Sequence, residues 1–227
     1  MSVGRPVTER LPLFPLSTVL YPGLQLPLHI FEERYRQLVH DLTTGDEQPG
    51  AFGVIAIRSG REAGQARPAL YDVGCTATLR SAEALPDGRF DILGSGTRRF
   101  RLHEVDASGA YLVGNVEYLS EQIGEDAPAL TRATAAAYLN YVDQLLSSAG
   151  QAPRTDRDLP TDPLLLSYLV AAAMVLDLRD KQQLLEAPDA AARLRAELAL
   201  LRRERQLLTH LPSLPGTDLI GRGQSLN

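Results

Sequence analysis

The spacing of apolar residues changes character once along this chain, near residue 123. Before that point the apolar runs are short and broken by prolines. In Leu11-Pro-Leu-Phe-Pro-Leu16, Tyr21-Pro-Gly23 and Pro27-Leu-His-Ile30 each proline removes a backbone donor and clashes with a preceding helical turn, which leaves short extended pieces and tight bends. A helix is predicted from about Phe31, where Phe31, Tyr35, Leu38, Val39 and Leu42 recur at helical spacing while Glu32, Glu33, Arg34, Arg36 and Gln37 fill the rest of the surface. Ala51-Phe-Gly-Val-Ile-Ala-Ile57 has strand length, and Val73, Cys75, Ala77 and Leu79 share one face at period two. Pro86-Asp-Gly88 presets a turn and predicts a hairpin between residues 76–85 and 89–93. Residues 97–103 alternate Phe100 and Leu102 against Arg99, Arg101 and His103, and another strand is expected over 110–119 after the Ser108-Gly109 turn. Several short strands at this spacing favour a small, partly closed barrel.

After Ile123 the period becomes helical. Gly124-Glu-Asp-Ala-Pro128 reads as a linker and helix start, and residues 129–146 place Leu139, Val142, Leu145 and Leu146 at helical intervals up to a stop at Gly150. A polar loop over 151–158 leads to Thr161-Asp162-Pro163, a capping side chain followed by proline at the first helical position. One apolar helix is expected from there to about Glu186. Ala187-Pro188-Asp189 then restarts the chain into a third helix, whose Leu194, Leu198, Leu201 and Leu208 form one stripe. Three helices packed together are the expected result, with a mobile tail beyond Leu211.

Composition narrows the functional classes. The chain has 227 residues, 44% hydrophobic and 22% charged, enough for one good core or two modest ones. A net charge of -5 argues against a surface built to neutralise phosphates. Cys75 is the single cysteine, which excludes an intramolecular disulfide, and the start of the chain lacks the basic, apolar and small-residue order of a signal peptide; a cytoplasmic location is expected. The longest apolar stretch, residues 164–176, is shorter than the roughly twenty residues a bilayer requires, so no membrane partner is expected. Of the 23 lysines and arginines only Lys181 is a lysine, and no glycine stands near it, which excludes a phosphate-cradling P-loop.

The opening from Leu11 to Arg36, Tyr71-Asp-Val-Gly-Cys75, Asp87-Gly-Arg89, Gly96-Thr-Arg-Arg-Phe100, and Lys181-Gln-Gln-Leu-Leu-Glu186 through Arg193-Leu194 to Glu204 together resemble the Lon N-terminal domain. That family is the substrate-binding region of ATP-dependent Lon proteases. The resemblance implies an α+β fold: a PUA-like small β-barrel subdomain over 9–121, a C-terminal helical bundle over 122–211 and a flexible tail over 212–227. It also implies a role in engaging unfolded or exposed segments of protein clients, with a separate protease or chaperone as a further partner. The ATPase and Ser-Lys protease modules of full Lon have no room and no motif here, so a stand-alone, non-catalytic protein is expected.

Cys75 lies on the apolar face of a strand and reads as core filler. His29 with Glu32 and Glu33 lacks the companions of a zinc site and reads as a hydrogen-bonded histidine at the helix start. Gly94-Ser-Gly96 lacks both the third glycine and the helix of a dinucleotide fingerprint. Arg202, Arg203 and Arg205 suit the negative end of a helix dipole. No catalytic residue, metal or cofactor is therefore expected. For protein binding the candidate residues are Glu33, Arg34 and Gln37, opposite the apolar stripe of the first helix. The alternative is an RNA-binding PUA-like module using Arg98, Arg99 and Arg101, opposed by the acidic balance and the absence of Trp. An enzyme of unrecognised type ranks third.

Overall fold

The computed structural model describes residues 8–45, 49–59, 68–152 and 158–210. In chain order they form β1 (Glu9–Leu16), β2 (Gln25–Ile30), α1 (Glu33–Thr44), β3 (Ala51–Ser59), β4 (Ala69–Leu70), β5 (Val73–Ala84), β6 (Phe90–Asp106), β7 (Val113–Tyr118), α2 (Ala127–Ser148), α3 (Pro163–Ala173), α4 (Leu178–Glu186) and α5 (Ala190–His210). Two compact units result. One holds the described residues up to Gln122 together with Ala171–Pro188; the other holds Ile123–Val170 and the described residues from Asp189 onward. The expected tail over 212–227 and most of the expected loop over 151–158 lie outside the described residues.

In the first unit the strand pairings close on themselves. β1 runs parallel to β3 and antiparallel to β7, and the antiparallel pairs β3–β5, β5–β6 and β6–β7 complete a ring of five strands. Period-two alternation sends side chains to two separate cores. Leu11, Leu13, Ile55, Phe100 and Val116 gather in one cluster from four of the ring's strands. The fifth strand contributes Gly74, where a Cβ would run into the Phe100 ring. The other cluster takes Phe14, Leu16, Phe52, Val54, Cys75, Ala77 and Leu79 and is covered by Tyr35, Leu38, Val39 and Leu42 of α1. Phe14 and Tyr35 stack there with centroids 4.0 Å apart.

The expected hairpin is present. Gly88 takes φ +80°, and Leu85 N–H donates to the Arg89 carbonyl at 2.8 Å across the turn. The two strands expected over 89–93 and 97–103 are one continuous β6 of 17 residues. Its length is used in two halves, since β2 pairs with Phe90–Ser95 and β7 with Phe100–Asp106. Gly96 sits near the junction, where a Cβ would strike the Tyr21 carbonyl.

Two helical expectations need correction. α1 begins at Glu33, so Phe31 is outside the buried stripe and is 62% exposed. The single helix expected from 163 to about 186 is α3 and α4, separated at residues 174–177. Asp177 takes an extended conformation and its carboxylate accepts from Asp180 N–H at 2.8 Å, a side-chain cap that starts α4 anew. α4 belongs to the first unit, not to the three-helix packing expected. Tyr21 Oη donates to the Lys181 carbonyl at 2.8 Å, and Gln182 Nε2 to the Val73 carbonyl at 2.9 Å. Arg99 Nη1 donates to the carbonyls of Leu185 and Ala187, each at 2.7 Å.

In the second unit α2 and α5 pack side by side, with Thr134 Oγ1 donating to the Leu194 carbonyl and Gln144 Nε2 to that of Arg205. The expected cap before α3 is present as Asp162, which accepts from Leu165 N–H at 2.9 Å.

Arg99 is 2% exposed, and it also holds Glu121 through Nε at 2.8 Å and Nη2 at 3.2 Å. Arg99→Ala is expected to destabilise the sheet-containing unit by about 3–5 kcal/mol, since Glu121 and two carbonyls lose their donor together. Arg99→Lys is expected to recover little, because one ammonium cannot span a carboxylate and two carbonyls in a fixed fork. Urea unfolding of the three proteins checks both statements; a lysine variant as stable as the parent would show that charge alone suffices.

Candidate functional site

Helix α1 presents the residues singled out for protein binding. Glu33 and Gln37 are exposed and Arg34 is half-buried. Each has a local partner. Arg36 Nη1 donates to Glu33 Oε2 at 2.9 Å, and Gln37 Nε2 donates to Asp41 Oδ1 at 2.7 Å. Arg34 folds back, donating to Glu32 Oε2 at 3.0 Å with its guanidinium 4.5 Å from the centre of the Tyr35 ring. The exposed Arg36–Glu33 and Gln37–Asp41 pairs contribute little stability, so they order a hydrated face without committing it to the core.

A groove opens beside the start of this helix. Phe14, Leu16, Leu28, Ile30 and Tyr35 supply its apolar walls, and His29, Phe31 and Glu32 stand along it. Its volume of about 170 Å³ falls below the ~300–1,000 Å³ of small-molecule sites and suits one or two side chains. Strand alternation explains the exposed ring: Ile30 points into the core at 2% exposure, so Phe31 must point away from it.

The groove lies where two strands lack neighbours. Among the described residues β2 pairs only with β6, and β7 accompanies β1 only as far as Pro12 while β3 takes its other side from Leu13 on. Gly96 N–H donates to the Leu24 carbonyl, which sets Leu24, Leu26, Leu28 and Ile30 in the hydrogen-bonded pairs and turns Pro27 outward. Pro15 and Pro27 thus remove donors from the open stretches, a device that discourages indiscriminate strand pairing.

The other candidate residues have structural assignments. His29 lies in β2, not at a helix start; Nδ1 meets Asp91 Oδ1 at 2.6 Å and Nε2 meets Arg89 Nη1 at 3.1 Å. Arg89 can only donate, so Nε2 accepts and the Nδ1 proton goes to Asp91. No group of three or more His, Cys, Asp or Glu placed to hold a metal occurs among the described residues. Cys75 is fully buried, and burial pushes its thiol up to about 12, against a smaller opposing effect of the backbone at Thr97. Of the arginines considered for RNA, Arg99 is occupied by Glu121 and α4, and Arg98 lies 3.7 Å from the centre of the Tyr118 ring. Arg98 and Arg101 are three residues apart on a strand and therefore point to opposite faces.

A family model for the substrate-binding domain of ATP-dependent protease La (LON) matches residues 10–203. The chain belongs to this family. Among curated relatives, Lon protease 2 of Syntrophobacter fumaroxidans is 30% identical over 193 residues, covering 82% of this chain and 23% of that protein. Lon protease of Escherichia coli K12 is 28% identical over 214 residues, covering 92% of this chain and 26% of that protein. The chain thus spans about a quarter of the length of these Lon relatives. Two solved structures share the fold. A Lon N-terminal domain protein from Xanthomonas campestris superposes with a TM-score of 0.59 at 24% identity, covering 90% of this chain and 99% of that one. The N-terminal domain of a Mycobacterium avium complex Lon protease gives 0.64 at 20% identity, covering 86% and 98%. The Lon resemblance stated from sequence is therefore a family membership. No helix among the described residues is long and apolar enough to cross a membrane.

Sequence reasoning missed the groove because Phe31 fits the helical stripe by spacing. The competing signal was Leu26, Leu28 and Ile30, whose alternation carries strand geometry up to residue 30. For Cys75 the expected outcome is that the native protein resists thiol alkylation at neutral pH and is labelled once urea unfolds it. Mass spectrometry of the two samples checks this; rapid labelling of folded protein would remove Cys75 from the core.

Proposed function

We propose that this chain is a non-catalytic protein-recognition module that grips exposed or unfolded apolar segments of other proteins in the groove beside Phe31. The observation that carries the reading is an exposed aromatic ring over an apolar groove bordered by two strands with open edges. An extended peptide has a matching shape: its backbone can lie along β2 while one apolar side chain enters the groove. Glu33, Arg34 and Gln37 lie next along α1 and form the polar rim, where contacts add selectivity more than affinity.

Three further statements belong to the same reading. The closed ring of strands supports a PUA-like small barrel, and α2 with α5 supports a C-terminal helical bundle. Membership in the Lon substrate-binding family supports delivery of clients to a separate protease or chaperone. A cytoplasmic site of action fits clients of that kind.

The test is binding of a fluorescently labelled, permanently unfolded model protein, followed by anisotropy, with thermal unfolding measured on the same samples. Phe31→Asp is expected to leave the melting temperature unchanged and to weaken binding by roughly 5–30-fold, the effect of losing one anchor of about 1–2 kcal/mol. Glu33→Ala, Arg34→Ala and Gln37→Ala combined are expected to weaken it by less. Parent-like affinity in Phe31→Asp would reject the groove, and the second apolar groove, near Leu70, Leu102 and Val105, would be the next place to mutate.

A further inference from the structure

The helical unit contains a polar centre of its own. Arg193 and Glu197 stand one turn apart on α5 and both are fully buried. Arg193 is turned toward α3: Nη1 donates to Ser167 Oγ at 3.0 Å, Nη2 to Tyr168 Oη at 3.1 Å, and the guanidinium lies 3.9 Å from the centre of the Tyr168 ring. Glu197 has no such company. Neither of its carboxyl oxygens has a hydrogen-bond partner among the described residues.

An ionised carboxylate buried without a donor is strongly disfavoured, whereas a protonated one is a modest polar group. None of the neighbouring ionisable groups hydrogen-bonds to it. On α3, Tyr168 stands against Arg193. α2 runs parallel to α5, as the Thr134–Leu194 and Gln144–Arg205 contacts require, and brings Tyr138 and Tyr141 past this level. Arg132 of α2 is exposed, and its Asp143 is an acid that would only add repulsion. Among the described residues Arg193 is the one charge that acts on Glu197 electrostatically.

We propose that Glu197 is a proton-operated lock in the helical unit. Protonated, it rests in the core and leaves Arg193 bound to α3; ionised, it draws the guanidinium one turn along α5, away from Ser167 and Tyr168, and loosens the packing of α3 against α5. Burial raises the Glu197 carboxyl well above the ordinary carboxylate range, with Arg193 opposing that rise. The sign follows. The folded protein keeps this proton to a higher pH than the unfolded chain does, so the site's contribution is complete below the unfolded carboxyl's range and is lost as pH rises through the folded value.

The experiment compares the full chain with Glu197→Gln, the neutral isostere, by amide hydrogen exchange in α3 and α5 across pH 5–9, under conditions where exchange follows the opening equilibrium. Protection in the parent is expected to fall relative to the variant by about tenfold per pH unit within the titration window and to run parallel below it. A carbon-13 measurement of the Glu197 side chain in the parent reads the same event directly and serves if the variant fails to fold. Parallel protection curves, or a Glu197 midpoint in the ordinary carboxylate range, would overturn the proposal. An Arg193 guanidinium resonance that ignores the Glu197 transition would overturn the partner exchange.

Discussion

A guanidinium removed from water must find an acceptor for the N–H groups it carries, and Arg99 places that demand in the middle of the sheet-containing unit. Helix α4 has the complementary deficit, since its last carbonyls have no donor inside the helix. The two deficits cancel when Nη1 reaches Leu185 and Ala187, and Glu121 balances the charge. The next residue along β6, Phe100, points to the opposite side and fills the ring. One step of strand alternation therefore both plugs the ring and anchors a helix on its outside. Gln182 adds a further tie between α4 and β5, Tyr21 one between α4 and the segment joining β1 to β2, and Gly96 allows the Tyr21 backbone its close approach.

The same unit keeps one side incompletely closed. β6 is long enough to serve two partners, and the handover from β2 to β7 leaves the end of β1 and the edge of β2 without shared neighbours. The prolines of the opening segment sit on these stretches. A sheet that needed closure there would carry donors at residues 15 and 27. Proline at both positions keeps the edges passive while the side chains of Phe14, Leu16 and Leu28 still form an apolar surface. Open geometry and local rigidity thus arise from the same residues.

What was legible in the chain was local. Period two at Val73, Cys75, Ala77 and Leu79, the Pro86-Asp-Gly88 turn and the stripe of Tyr35, Leu38, Val39 and Leu42 each depend on neighbours within a few residues, and each appears as expected. Ring closure was foreseen only as a tendency, because the parallel β1–β3 pairing is a long-range choice with no local signature. Arg99 was misjudged for a physical reason: on a strand it alternates with Phe100 and looks like surface, and its acceptors lie 22, 86 and 88 residues away. The break between α3 and α4 was hidden by helical residues on both sides of Asp177. The groove depended on whether Phe31 follows the strand alternation or the helical stripe; it lies between β2 and α1, and its neighbours satisfy both patterns.

The position of α4 in the chain has a consequence during synthesis. When β6 and β7 have left the ribosome, Glu121 is soon available to Arg99, but the carbonyls of Leu185 and Ala187 are still to be made. At about 5–20 residues per second the wait is about 3–14 seconds. Throughout that interval the sheet is complete in sequence yet carries an arginine with part of its coordination missing, and the surface that α4 will cover stands open to water and to chaperones. A nascent chain that pauses between residues 122 and 178 would hold this half-finished state, so the speed of translation through the helical segment sets how long the first unit remains vulnerable.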